Sequence, residues 1–279
     1  MSTFRISDWD YRNLIQNLFK KGLLGLPSQA LSMVVQKFYK EEAIRRLKSN
    51  QKLWFDLNNY LERTSSTGCS FVDYAYLYDF IIKNRPKEIL ECGTGVTTLV
   101  MAHALKYANI EGRITSMESH EDWYKMSKDL FPKNISSYVN FVLSPVVEDY
   151  YSFFRGSRYE FVPEADYDFV FVDGPSTISS IDGTHLFNYD FFHILKKSKI
   201  PVQGIIDQRL STVWFLQKVL GKKVVYDSIR KLGIVKPSTK KDIHSISNLR
   251  PSLSFEKSLS LFSNSDLNPE FSDRWEERE

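Results

Sequence analysis

Between residues 69 and 236, short apolar runs alternate with longer amphipathic ones, and no other feature limits the fold as tightly. "KEILEC", "RITSME", "VNFVLS", "YDFVFVDG" and "VQGIID" have the length and composition of buried strands. "DYAYLYDFIIKN", "TTLVMAHALKYA", "HEDWYKMSKDLF", "LFNYDFFHILKKS" and "STVWFLQKVLG" stand beside them with helical apolar spacing. Strands alternating with helices of this length build βαβ units, and so a mostly parallel sheet covered on both faces. In "KKVVYDSIRKLGIVKP" two strands follow each other with too little chain for a crossover helix, which predicts an antiparallel pair. The expected fold is therefore an α/β, doubly wound, Rossmann-like domain over residues 69–236. Its right-handed crossovers place the loops after the parallel strands on one edge, where ligands bind.

The flanks differ. Residues 1–68 carry helical periodicity, with Leu14, Leu18, Leu23, Val34, Phe38, Ile44 and Leu47 on apolar faces and a break at "GLLGLPSQ". They read as an N-terminal helical cap; a lid over a cleft or an arm forming a homodimer is the alternative. Residues 237–279 are rich in serine, asparagine and charge and read as a polar C-terminal tail. Within that tail Leu253, Phe255, Leu259 and Phe262 are candidates for local docking. Net charge is +3, from 37 basic and 34 acidic residues scattered along the chain, so no nucleic-acid surface is expected. The two cysteines, Cys69 and Cys92, make neither a disulfide framework nor a cysteine-rich zinc cluster and suit a reducing compartment. With no signal-peptide layout and no long apolar run, a cytoplasmic protein without membrane contact is expected.

The candidate chemistry lies where strands end. After "KEILEC" come Gly93, Thr94 and Gly95, a turn that lets backbone approach a ligand or simply pack. The third glycine of a dinucleotide fingerprint would fall at Thr98, and Glu91 before the turn would oppose a phosphate. That acid suits a ligand bearing a cationic amine. "RITSMESH" ends in Glu118, a carboxylate able to accept both hydroxyls of a ribose, or else a solvated helix-start charge. Trp123 and Tyr124 follow, candidates for flanking an adenine or for the core. "VNFVLS" ends at Ser144, a small polar group for an adenine edge. "YDFVFVDGP" delivers Asp173, and "GIIDQR" delivers Asp207 and Gln208 on the same rim. Two carboxylates and an amide oxygen are hard ligands suited to Mg²⁺ or Ca²⁺, or equally a hydrogen-bonded pair without metal.

Together "EILECGTGVTT", Glu118, "YDFVFVDGP" and "GIID" resemble the class I S-adenosylmethionine-dependent methyltransferases. "ILECGTGVTTL", "SMESHEDWY" and "FVFVDGP" look most like the small-molecule O-methyltransferases of sugars and catechols. The resemblance covers about residues 70–236 and implies a seven-stranded sheet in the order 3-2-1-4-5-7-6, the last strand antiparallel. It implies S-adenosylmethionine (SAM) as cofactor, bound by Glu91, Gly93, Thr94, Gly95, Thr97, Glu118, Ser144 and Asp173. Glu91 would lie near the amine, Glu118 at the ribose and Ser144 near the adenine. The metal-dependent relatives imply Mg²⁺ at Asp173, Asp207 and Gln208, although they usually have Asn or Asp where Gln208 stands. Without metal, a general base is needed beside Asp173, and His185 is the best placed, with His120 behind it. The acceptor would be a small hydroxylated molecule, possible sugars included, against a wall formed by "FFRGSRYEFVPEAD" and "STISSIDGTH". Arg155 and Arg158 in that wall are available for an acidic substrate. A binding or scaffold protein that keeps the fold without the chemistry, or another transferase on this fold, is the competing reading.

Overall fold

The computed structural model describes residues 28–64, 69–151, 154–227 and 230–244. The helix expected around Leu14, Leu18 and Leu23, and the tail docking of Leu253 to Phe262, lie outside those residues. Three helices come first, α1 (Ser28–Lys48), α2 (Gln51–Leu61) and α3 (Phe71–Asn84). The alternating part is β1 (Glu88–Cys92), α4 (Val96–Tyr107), β2 (Arg113–Glu118), α5 (Glu121–Leu130) and β3 (Val139–Leu143). A hairpin, β4 (Val146–Tyr151) and β5 (Phe154–Tyr159), precedes β6 (Phe169–Val172). After it run β7 (Phe187–Asn188), α6 (Asp190–Lys197), β8 (Val202–Asp207), α7 (Leu210–Leu220), β9 (Val224–Asp227) and β10 (Leu232–Ser238).

The central sheet has seven strands in the order β3-β2-β1-β6-β8-β10-β9. Counted along this sheet alone, that is 3-2-1-4-5-7-6. The β1, β2, β3, β6 and β8 pairings are parallel, and β10 is antiparallel to both of its neighbours. The order reverses between β1 and β6, so a cleft opens beyond their carboxyl ends.

Strand alternation sorts the side chains into two cores. Ile89, Ile114, Phe169, Phe171 and Ile205 join one apolar cluster with Leu99, Leu77, Leu47 and Leu53 from the helices. Leu90, Val170, Val172 and Ile206 face the other, with Phe191, Leu195, Phe215 and the hairpin's Phe154. Helices α1 and α2 therefore share a core with the sheet. Tyr39, Ala43 and Leu47, spaced by four, are the buried stripe of α1, whereas Phe38 is 45% exposed. The apolar face thus lies one residue away from the one expected at Phe38. A hydrogen bond between His103 Nε2 and Asp56 Oδ2, 3.0 Å long, ties α2 to α4.

A second, three-stranded sheet, β4-β5-β7, stands where the sequence suggested only irregular wall. Gly156 in β5 is required there, because a Cβ would lie 2.4 Å from the ring of Tyr189. In the stretch expected to be all helix, Phe187 and Asn188 instead pair with β5, and α6 starts only at Asp190.

Candidate functional site

A cavity of about 600 Å³ lies at the carboxyl edge, beyond β1, β2 and β6. Gly93 and Thr94, Glu118 to His120, Trp123, Asp173 to Pro175 and Tyr159 line one part of it. Val146, Glu148, Ser157, Ile178, Ser179 and Leu186, from the small sheet and the loop before β7, line the other. Its volume is that of an ordinary small-molecule site.

The floor is built by two turns pressed together. Gly93 has φ +95°, and a Cβ on it would meet Gly174 N at 2.8 Å. A Cβ on Gly174 would sit 2.6 Å from Gly93 Cα. Both amides, Gly174 N and Asp173 N, donate to Cys92 O. Gly93 is thus needed first for backbone-to-backbone packing, in addition to opening the cavity.

Glu118 is fixed in place. Its Oε1 accepts from Ser119 N at 2.7 Å and His120 N at 2.9 Å, which sets the carboxylate at the cavity's edge beside Trp123. Glu91 behaves differently. Alternation along β1 puts it on the same face as Ile89, under the start of α4, and it is fully buried. Thr97 and Thr98 Oγ1 and Ser116 Oγ donate to its carboxylate at 2.5–2.6 Å. Burial pushes its pKa up to about 7 against the pull of those three hydroxyls. Neither Glu91 nor Thr97 lines the cavity, so their observed work is to pin β1, β2 and the first turn of α4 together. Ser144 is buried as well, its Oγ accepting from Phe161 N at 3.0 Å. His185 is exposed in the loop before β7 and does not line the cavity, whereas His120 does.

Asp173 follows β6 and Asp207 ends β8, and alternation turns both toward the face that α3 covers. There they meet a residue that sequence reading missed. Cys69, immediately before α3, places Sγ 3.5 Å from Asp173 Oδ2 and 3.5 Å from Asp207 Oδ2. Burial, then Asp173, raises the Asp207 pKa to about 8; burial also raises Asp173, with the Arg209 guanidinium opposing. Burial and the two aspartates push the Cys69 thiol well up. Arg209 spends its guanidinium on main-chain carbonyls, Nη1 on Pro175 O at 2.8 Å and Nη2 on Asp173 O. Gln208 is exposed, with φ +42° and its N–H given to Lys231 O. The hard oxygen set expected for Mg²⁺ is therefore altered, since the donor beside the two carboxylates is a thiol, and that set does not fit Mg²⁺.

The arginines expected to receive an acidic substrate are occupied. Arg155 bonds Glu148 Oε2 at 2.6 Å and Asp182 Oδ2 at 2.5 Å, and Arg158 bonds Asp149 Oδ2 at 2.8 Å. Ser179 Oγ donates to the other oxygen of Glu148 at 2.6 Å. Arg155 thus locks the loop before β7 to the hairpin, and the charge facing the cavity from this wall is the carboxylate.

No family model matches the sequence, and no curated protein matches it. Solved methyltransferase structures are similar to it at low identity. One is the O-methyltransferase TomG from Streptomyces achromogenes in complex with SAM, 14% identical over 65% of this chain and 87% of that one, with a TM-score of 0.42. Another is an O-methyltransferase from Bacillus cereus, 14% identical over 74% and 97% of the two chains, with a TM-score of 0.41. A methyltransferase from Geobacter sulfurreducens is 11% identical over 58% and 78%, with a TM-score of 0.37.

Proposed function

We propose that this protein is a SAM-dependent methyltransferase acting on a hydroxyl of a small molecule. The observation that carries the reading is the placement of Glu118 and Asp173 on one cavity at the switch point of the sheet, above the Gly93–Thr94 turn. A carboxylate held by two backbone amides at the end of β2 is preorganised to accept the two hydroxyls of a ribose. Trp123 beside it offers an apolar face to a base, and Gly93 and Thr94 present the main chain to the rest of the cofactor. The acids at this edge would repel a phosphate.

The cofactor supplies an electrophilic methyl group. The chain's own part is to exclude water, align the acceptor oxygen and take its proton. Asp173 lines the cavity and its charge helps raise the buried Asp207 to about 8, so the pair can accept that proton and share it between two carboxylates. Asp173 is better placed for this than His185. The small sheet and the loop before β7 form the acceptor wall, and its arginines, already paired with carboxylates, leave no free cation for an acidic acceptor.

Calorimetric titration with S-adenosylhomocysteine, the demethylated cofactor, tests this directly. Wild type is expected to bind, and Glu118→Ala to lose roughly 100-fold or more, since two charge-assisted hydrogen bonds at about 1.5 kcal/mol or more each disappear. Absence of binding to wild type removes the methyltransferase reading. Binding that Glu118→Ala leaves unchanged removes the ribose assignment.

A further inference from the structure

We propose that the amino edge of the sheet beneath β8, β10 and β9, opposite the cavity, is a docking surface for an anionic lipid bilayer. Helices α6 and α7 end at that edge, β8 and β9 start there, and β10 finishes there with Ser238 opposite Val202. The turn Lys240–Asp242 packs against α6, Lys223 Nζ reaches Pro237 O at 3.0 Å, and His244 N donates to Val219 O at 2.8 Å, so these ends form one surface. Across residues 196–202, 217–225 and 235–244 they carry nine lysines and one acid, Asp242. The whole chain holds 37 basic and 34 acidic residues, so everything outside this edge has an acidic excess. Charge that is scattered along the sequence is gathered by the fold at one end.

Local structure uses few of these charges. Lys223 lies 3.5 Å from Asp242 Oδ1, Lys196 stands over the rings of Tyr151 and Phe192, and Lys218 over Trp214. Lys197, Lys199, Lys222, Lys236, Lys240 and Lys241 are exposed and have no ion-pair partner among the described residues. A helix-end dipole accounts for a lysine in a last turn, but Lys199, Lys236, Lys240 and Lys241 belong to no α-helix. Exposed Glu164 and Asp166, before β6, bound the patch on its other side, so it is a face and not a ring. A face of one sign attracts a polyanion, and its composition decides which. The three stretches contain no arginine, whose planar fork reads phosphate and base edges, and no aromatic ring on which a nucleic-acid base could stack. Exposed Pro201, Val225 and Pro237 stand among the lysines instead, short apolar groups suited to a headgroup layer. A bilayer asks only for charge density, each lysine near an anionic surface raising affinity roughly 5-fold. No helix among the described residues is long and apolar enough to cross a membrane, so the contact is adsorption, and it leaves the cavity at the opposite edge uncovered.

The inference is independent of methyl transfer and is read by direct binding. The full chain is mixed with phosphatidylcholine vesicles, with and without about 30% phosphatidylserine, and binding is followed by sedimentation at about 0.1 M and about 0.5 M salt. The expected result is binding to the phosphatidylserine vesicles alone, at least about 10-fold weaker at the higher salt. Lys222→Gln, Lys240→Gln and Lys241→Gln together lower the affinity about 100-fold. Lys199→Gln with Lys236→Gln, drawn from other elements, lowers it about 25-fold. The same change at exposed Lys37, Lys40 and Lys52, on α1 and α2, lowers it less than about 3-fold. Binding to neither vesicle, equal binding to both, or equal losses from the patch and the α1–α2 variants overturns the proposal. So does tighter binding at the same salt to a single-stranded RNA of about 30 nucleotides, which would give the face to nucleic acid instead.

Discussion

Replacing Glu91 by glutamine separates a structural acid from a cofactor ligand. The folded pKa of Glu91 is about 7, against an ordinary value of 4.5. At about 1.4 kcal/mol for each tenfold change in proton affinity, that rise corresponds to roughly 3 kcal/mol. The sign follows from which state holds the proton. Between about pH 4.5 and 7 the unfolded chain has released it and the folded protein has not, so the folded state binds more protons. Stability from this group is therefore fullest below pH 4.5, falls as pH rises toward 7 and is level above. Glu91→Gln keeps the shape and removes the titration. Asp190, also raised to about 7 by burial, slopes the same way in both proteins and cancels in the difference. Denaturant unfolding is expected to show the variant close to wild type at pH 5 and about 2–3 kcal/mol more stable at pH 8. Its affinity for S-adenosylhomocysteine is expected to stay within about 3-fold, because Glu91 does not line the cavity. A difference that does not change with pH refutes the burial argument. A 30-fold loss of affinity refutes the structural role and returns Glu91 to the cofactor's amine.

Gly174→Ala forces a Cβ to 2.6 Å from Gly93 Cα, and both neighbours are backbone. Urea unfolding is expected to show a loss of about 3 kcal/mol, the upper end for overpacking, and calorimetry a weakened cofactor site. Arg155→Met releases the clamp on Glu148, Asp182 and Ser179. Faster limited proteolysis between residues 176 and 186 is expected, with S-adenosylhomocysteine affinity unchanged; equal cleavage rates would show that the loop is held by other contacts.

The sheet was legible because its strands announce themselves twice, by apolar runs and by a polar residue or glycine where each parallel run meets the carboxyl edge. Both signals are local. What stayed hidden depends on direction or distance. Glu91 and Glu118 both end a run as acids, yet alternation and the hydroxyls of Thr97, Thr98 and Ser116 bury one, while two backbone amides hold the other at the cavity. Ser116 sits directly opposite Glu91 in the β1–β2 register, a neighbour visible only once the strands are paired. The β4–β5 hairpin was missed because its charges read as solvated loop. In the structure Glu148 lies opposite Ser157 and Asp149 opposite Gly156, so Arg155 and Arg158 reach them along the diagonals of an antiparallel pair. Cys69 was the least legible of all. A single cysteine before a helix carries no local signal, and it gains meaning only when the fold sets its sulfur against Asp173 and Asp207 at the ends of β6 and β8. The residues that reach the carboxyl edge are thus written along the strands, while those that set the charge around it are written in the packing between them.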